Sequence, residues 1–318
     1  MEVILTSPWV PREWIQAHGL EPRGVWLREH HQPVAAPEGV CAFAQEMMSL
    51  AEAHPKAIVV FTTACDQMRR AADAVAFKPG SRIFLFNLPA TWQSATPRRL
   101  YHAELARLGK HLEALGGHAP TTEELATVIH DHEAGRAALR SFIQESSARQ
   151  GAEALANWFS GGSSLPAPGS ATTQGVRLAL VGGPLLRSHW PLFDAIASVR
   201  GCVVLNATEP GERCLLPPLP RLAPAQDPLI ALADHYFDHA VDVFHRPNSR
   251  LYAWLRRRLA ERQVRGLVLW HNIGCDLWRA EAQPLREAFG LPVLPLEADG
   301  AALPRNIGRL EAFLESLR

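Results

Sequence analysis

AIVVFTTACDQMRRAADAV, residues 57–75, changes its periodicity at a single cysteine. Ala57 to Phe61 is an unbroken apolar run with β-branched residues, too short for an ordinary helix, and reads as a strand. From Met68 to Val75 apolar residues return at helical spacing. Cys65 falls between the two, followed by Asp66, a favourable helix-start residue. A strand running directly into a helix is the unit of a parallel sheet. It places Cys65 at the sheet's carboxyl edge, where open α/β sheets bind their ligands.

The same pattern recurs along the chain. Further strands are expected at Val3–Thr6 and Arg82–Asn87 in the first half, and at Val176–Val181, Cys202–Asn206, Gly266–Trp270 and Val293–Leu296 in the second. Longer amphipathic segments separate them, which makes the chain an α/β protein with parallel sheets flanked by helices. Helix starts are signalled by Thr96-Pro97, by Thr121 with Glu124 three residues on, and by Asp227-Pro228. Gly116-Gly117 is the expected stop of the helix that begins at Pro97. The small, polar, proline-bearing stretch 161–175, GGSSLPAPGSATTQG, reads as a flexible linker. It divides the chain into an amino-terminal α/β lobe, 1–160, with Cys41 and Cys65, and a carboxyl-terminal lobe, 176–318, with Cys275. Pro210–Pro228 is expected to be a long loop inside the second lobe.

Composition narrows the function classes. The 318 residues carry 32 basic and 32 acidic side chains with no basic tract, which argues against a nucleic-acid surface. No apolar run is long enough to span a bilayer, and the first residues lack the pattern of a secretory signal. A cytoplasmic protein without membrane partners is expected. Five widely spaced cysteines are then expected to be reduced, with metal binding or catalysis open to them.

Three of the five stand at helix starts. Cys65 and Cys275 each follow a strand and precede an aspartate, and Cys41 follows a Pro-Glu-Gly turn. A helix amino terminus favours the thiolate, the form that metals and iron–sulfur clusters bind. Three such thiols from two lobes would leave one iron of a cubane open to a further ligand. The same residues also suit ordinary packed thiols or a structural zinc, and no C-x-x-C or ferredoxin-type run decides among these. Cys202, in an apolar strand, and Cys214, in a loop, read as structural.

Longer motifs add to this. SPWVPREWIQAHGLEPRGVW, then GVCAFAQEM, then VVFTTACDQMRRAADA, and finally GCDLWRAEAQPLREAFGLPVLPLEADGAALPRNIGRLEAFLESL resemble, in order, the 2-hydroxyacyl-CoA dehydratase and benzoyl-CoA reductase family. FNLPATWQSATPRRLYHAELARLGKHLEALGG is similar to the family's segment after its next strand, so the likeness runs from about Ser7 to Leu317. The resemblance implies two flavodoxin-like lobes with an oxygen-sensitive [4Fe–4S] cluster in the cleft, held by the residues matching Cys41, Cys65 and Cys275. It further implies an acyl-CoA substrate, a related subunit forming a homodimer or heterodimer, and an ATP-dependent iron–sulfur activator protein. The implied chemistry is one-electron dehydration through a ketyl radical of the thioester. Benzoyl-CoA reductase-like chemistry, a double-cubane cluster, or a non-catalytic electron-relay subunit are the alternatives within the resemblance. The chain departs from the family pattern in HNIGCD, which replaces lysine–aromatic–Cys-Asp, and in His18, which replaces an alanine.

A radical elimination needs a group to move a proton. Glu13, at the first helix, and His271, just before Cys275, are the candidate general bases. Arg69 and Arg70 stand where they can offset cluster charge or pair with surface carboxylates. His235 and His239 have the i, i+4 spacing of a zinc grip, but without the metalloprotease glutamate they read as a solvated helix face. His130 and His132 are expected on different sides of their helix. LVGGPLLRS is a weak phosphate-loop signal, and no G-x-G-x-x-G or P-loop sequence occurs.

Overall fold

The computed structural model describes residues 1–26, 39–78, 80–167, 169, 174–223, 226–298 and 303–318. Two four-stranded sheets, parallel throughout, organise the molecule. The first contains β1 (Glu2–Leu5), β2 (Glu21–Gly24), β3 (Ile58–Thr62) and β4 (Ile83–Phe86) in the order β2-β1-β3-β4. The second contains β5 (Val176–Pro184), β6 (Gly201–Glu209), β7 (Gly266–Asn272) and β8 (Val293–Ala298) in the equivalent order β6-β5-β7-β8. Each order reverses next to its first strand, the flavodoxin-like arrangement in which the switch point opens a crevice at the carboxyl edge. Seven of these strands coincide with the apolar runs read from the sequence. The eighth, β2, was not expected: EPRG is polar and carries Pro22, which is tolerated because β2 pairs with β1 alone and forms an edge.

In the first half, α1 (Arg12–Ala17), α2 (Ala42–Ala53) and α3 (Asp66–Ala76) follow their strands, and α4 (Ala95–Ala114), α5 (Thr122–Glu145) and α6 (Ala148–Phe159) complete that half. In the second, α7 (Pro191–Ser198), α8 (Pro228–His239) and α9 (Ser249–Glu261) precede β7, and α10 (Asp276–Arg279), α11 (Ala282–Phe289) and α12 (Leu303–Ser316) follow it. Thr121 and Glu124 form a reciprocal capping box, and the Asp227 side chain accepts from the amides of Leu229 and Ile230. The helix expected from Thr96-Pro97 begins two residues earlier, capped at Ser94. It ends at Ala114, just before Gly116 takes a left-handed φ of 103°.

The two halves do not meet only edge to edge. Helix α8, from the second half, packs on α4 and α5 of the first. There Arg98 reaches Asp234 and Asp238, both at 2.6 Å, and His102 reaches Asp234 at 2.8 Å. Deeper in, the buried Glu13 carboxylate pairs with Arg136 and accepts from the Tyr236 hydroxyl at 2.8 Å. Elsewhere the Arg246 amide donates to the Ala90 carbonyl at 2.7 Å, the Trp92 indole donates to the Pro247 carbonyl at 3.0 Å, and the Arg187 amide donates to the Trp26 carbonyl at 3.1 Å. In the stretch 161–175, the Gly162 amide donates to the Asn157 carbonyl at 2.9 Å and the Asn157 side chain donates to the Ser164 carbonyl at 3.1 Å; residues 168 and 170–173 lie outside the described residues.

Candidate functional site: a three-thiol cavity between the sheets

Each of the three cysteines caps a helix that follows a sheet's edge: Cys41 caps α2, Cys65 caps α3 and Cys275 caps α10. Of the turn expected before Cys41, Pro37 and Glu38 lie outside the described residues. Local hydrogen bonds set the three in place. The Cys41 amide donates to Oε1 of Gln67 at 3.1 Å, which ties the start of α2 to the start of α3. The Cys275 amide donates to the Asn272 carbonyl at 2.9 Å, turning the chain sharply out of β7. Between these two residues, Gly274 has a φ of 80°, and a Cβ there would stand 3.3 Å from Cβ of Cys41. Only glycine combines that backbone with so close an approach of the two halves.

The three thiols line one cavity of about 70 Å³. Its walls come from the carboxyl ends of five strands: Thr6 and Ser7 after β1, Thr62 and Ala64 from β3, Pro184 of β5, Glu209 of β6 and Asn272 of β7. Asp242, Phe244 and Trp278 close it. Both sheets thus point their ligand-binding edges into the same space. The Thr6 hydroxyl donates to the Val60 carbonyl at 3.1 Å, and Ser7 Oγ accepts from the Trp9 amide at 3.4 Å.

Electrostatics correct one expectation. The helix starts were expected to favour thiolates, and backbone amides do act in that direction at all three cysteines. Burial is nevertheless the larger effect. It pushes Cys41 up, Cys65 up to about 11 and Cys275 up to about 12. Repulsion adds to the rise: Cys41 acts on both Cys65 and Cys275, and Cys65 acts on Cys275. Three thiolates here need a cationic group to hold them.

Two carboxyls missed by sequence reasoning share the cavity. Glu209 is pushed up to about 8, by burial first and by the neighbouring Asp242 charge second, with Arg213 opposing. Arg213, wholly buried, donates to Asp242 at 2.6 Å and to the carbonyls of Gly182, Ala207 and Val241. Glu209 lay just beyond the expected strand Cys202–Asn206, which β6 extends to reach it, and Asp242 had no signal at all.

The remaining candidates sit elsewhere. Glu13 is a buried residue of α1, both of its oxygens engaged, and is not among the residues lining the cavity. Burial would raise its pKa, but the Arg136 charge outweighs that and holds it at about 2. His271 is also buried and off the cavity wall, its Nδ1 3.4 Å from the Asn272 carbonyl oxygen. Side chains alternate along β7, so with Asn272 on the wall His271 faces away. Arg69 and Arg70 are exposed; Arg69 lies 4.0 Å from Asp66. His235 is not on a solvated face: it is buried because α8 packs between two helices, with its ring 4.7 Å from that of His239. His130 is exposed and His132 buried, on opposite sides as expected. LVGGP is not a phosphate-binding turn but the end of β5, with Gly182 pressed against the Trp270 backbone and Gly183 against the Trp278 ring.

Among the described residues, no three His, Cys, Asp or Glu side chains are grouped to hold a single metal ion. Tetrahedral zinc, at about 2.3 Å from each sulfur, needs ligands drawn tightly together. The three cysteines share the cavity without being drawn together in that way.

A pair of flavodoxin-like sheets aiming three helix-capping thiols into one cavity defines the class of α/β protein. The family model described as 2-hydroxyglutaryl-CoA dehydratase, D-component, matches residues 9–317, and the chain belongs to that family. Comparison with curated proteins gives no match. Among the described residues no helix is long and apolar enough to cross a membrane.

Proposed function

We propose that the chain is the iron–sulfur subunit of a 2-hydroxyacyl-CoA dehydratase-like enzyme, with Cys41, Cys65 and Cys275 as the ligands of a [4Fe–4S] cluster. The observation that carries this is the convergence of those thiols, from both halves, on one cavity in a chain of this family. The donor set fits: three sulfurs, no histidine among the described lining residues, and buried thiols whose deprotonation calls for positive charge. When bound, the cluster supplies single electrons and an iron without a protein sulfur, open to a substrate oxygen.

The chain's own groups then divide the remaining work. Apolar Phe43, Met68, Phe244 and Leu277 exclude water from the cavity. Glu209, its carboxyl raised by burial and by the neighbouring Asp242, can hold a proton and deliver it to a departing hydroxyl. Glu13 and His271, the candidate bases by sequence, lie behind this wall and serve it through packing. An electron from an ATP-dependent activator and a related partner subunit belong to the same proposal.

Calorimetry of anaerobic protein with a 2-hydroxyacyl-CoA checks the substrate class. Saturable binding that is not matched by free CoA is expected. Equal or absent heat for both would leave only an electron-relay subunit.

A further inference from the structure

Asn272 is the last residue of β7, a central strand paired on both sides, by β5 and by β8. Its side chain is 3% exposed and lines the cavity together with the three cysteines. Its amide nitrogen is buried and has no hydrogen-bond partner. Buried donors are nearly always satisfied, because leaving one unpaired forfeits its hydration without return. Two polar groups on the same wall are already engaged, the Thr6 hydroxyl with Val60 and Asp242 with Arg213. The Asn272 backbone carbonyl accepts from the Cys275 amide, which fixes the main chain between the two residues.

We infer that Asn272 donates a hydrogen bond from its side-chain amide to a sulfur of the group gripped by Cys41, Cys65 and Cys275, and so raises its reduction potential. The inference rests on the cluster proposed above. A sulfur bound to iron is an anionic acceptor, and a donor aimed at it favours the reduced, more negative state. Asn supplies the donor without a charge and without a proton to lose across the physiological range.

The test uses anaerobic full-length protein whose iron and sulfide have been measured. Asn272→Leu keeps the volume and removes the donor; Asn272→Asp keeps the shape, removes the N–H and adds a negative charge. At a fixed solution potential, the reduced-to-oxidised ratio of the cluster, read by electron paramagnetic resonance, is expected to fall about tenfold in Asn272→Leu, equivalent to about 59 mV for one electron. The fall in Asn272→Asp should be larger. Independently, wild-type protein grown with asparagine labelled with ¹⁵N at the side-chain amide should show a nitrogen coupling to the reduced cluster. An iron-loaded wild type without that coupling, or an iron-loaded Asn272→Leu with unchanged potential, overturns the inference while leaving the cluster intact. Wild-type protein without iron removes the cluster itself, a different failure. If Asn272→Leu cannot be loaded, the labelled wild type still decides.

Discussion

A cysteine's position in the fold decides what it can do more than its neighbours in sequence. Cys202, part way along edge strand β6, and Cys214, sealed in a turn, lie off the cavity that Cys41, Cys65 and Cys275 line. Replacing any one of those three with Ala is therefore expected to remove most of the bound iron, whereas Cys202→Ser should retain it; iron analysis of anaerobic variants distinguishes the two groups. Glu13 offers the opposite lesson. It was legible as a chemically able group, but sequence cannot show that Arg136, far along the chain, and Tyr236, further still, have taken both its oxygens. Glu13→Gln should remove the buried anion facing Arg136, leave that arginine only its contact with Glu133, and cost about 3 kcal/mol of stability. Denaturant unfolding measures that loss, and iron bound per folded chain should be unchanged.

At the scale of elements, parallel strands read well because burial on both faces makes them continuous apolar runs. The helix starts at Cys65 and Cys275 read equally well, since they follow directly from those runs, while that at Cys41 was read from the glycine turn before it. Edge strand β2 did not, because one neighbour and a proline remove the pattern. Nor did Asp242, which sits in irregular structure where no period places a side chain. The loop between β7 and α10 shows what such segments contribute. Gly274→Ala forces a β-carbon into a left-handed backbone and against Cys41. Gly290 is also left-handed, with a φ of 63°, but has open space around it. Both substitutions should cost about 1–2 kcal/mol, and only Gly274→Ala should also speed iron loss to a chelator. Equal chelation rates would mean that the close approach between the halves is not needed to hold the group.

The whole molecule is held closed by polar contacts as well as by packing, and these carry a pH dependence. His132 and His235 are buried near the Glu13–Arg136 pair, and burial pushes both down to about 4 from 6.5. Between those values the unfolded chain binds protons that the folded protein refuses, so stability rises with pH. It is complete above about pH 6.5 and declines as pH falls toward 4. Glu13, held at about 2 instead of 4.5, extends the loss to still lower pH as its ion pair is protonated. Thermal melts from pH 8 to 4 should show a falling midpoint, and a His132→Gln, His235→Gln double variant should flatten the slope. The bracing of α4 and α5 by α8 was not visible in composition, since contacts over such separations leave no local trace. The central claim, that sulfurs from both halves jointly grip an iron–sulfur cluster, is tested most directly by iron and acid-labile sulfide analysis of anaerobically purified protein. About four of each per chain is the expected result for a cubane; protein that is metal-free, or that holds zinc without sulfide, would contradict it.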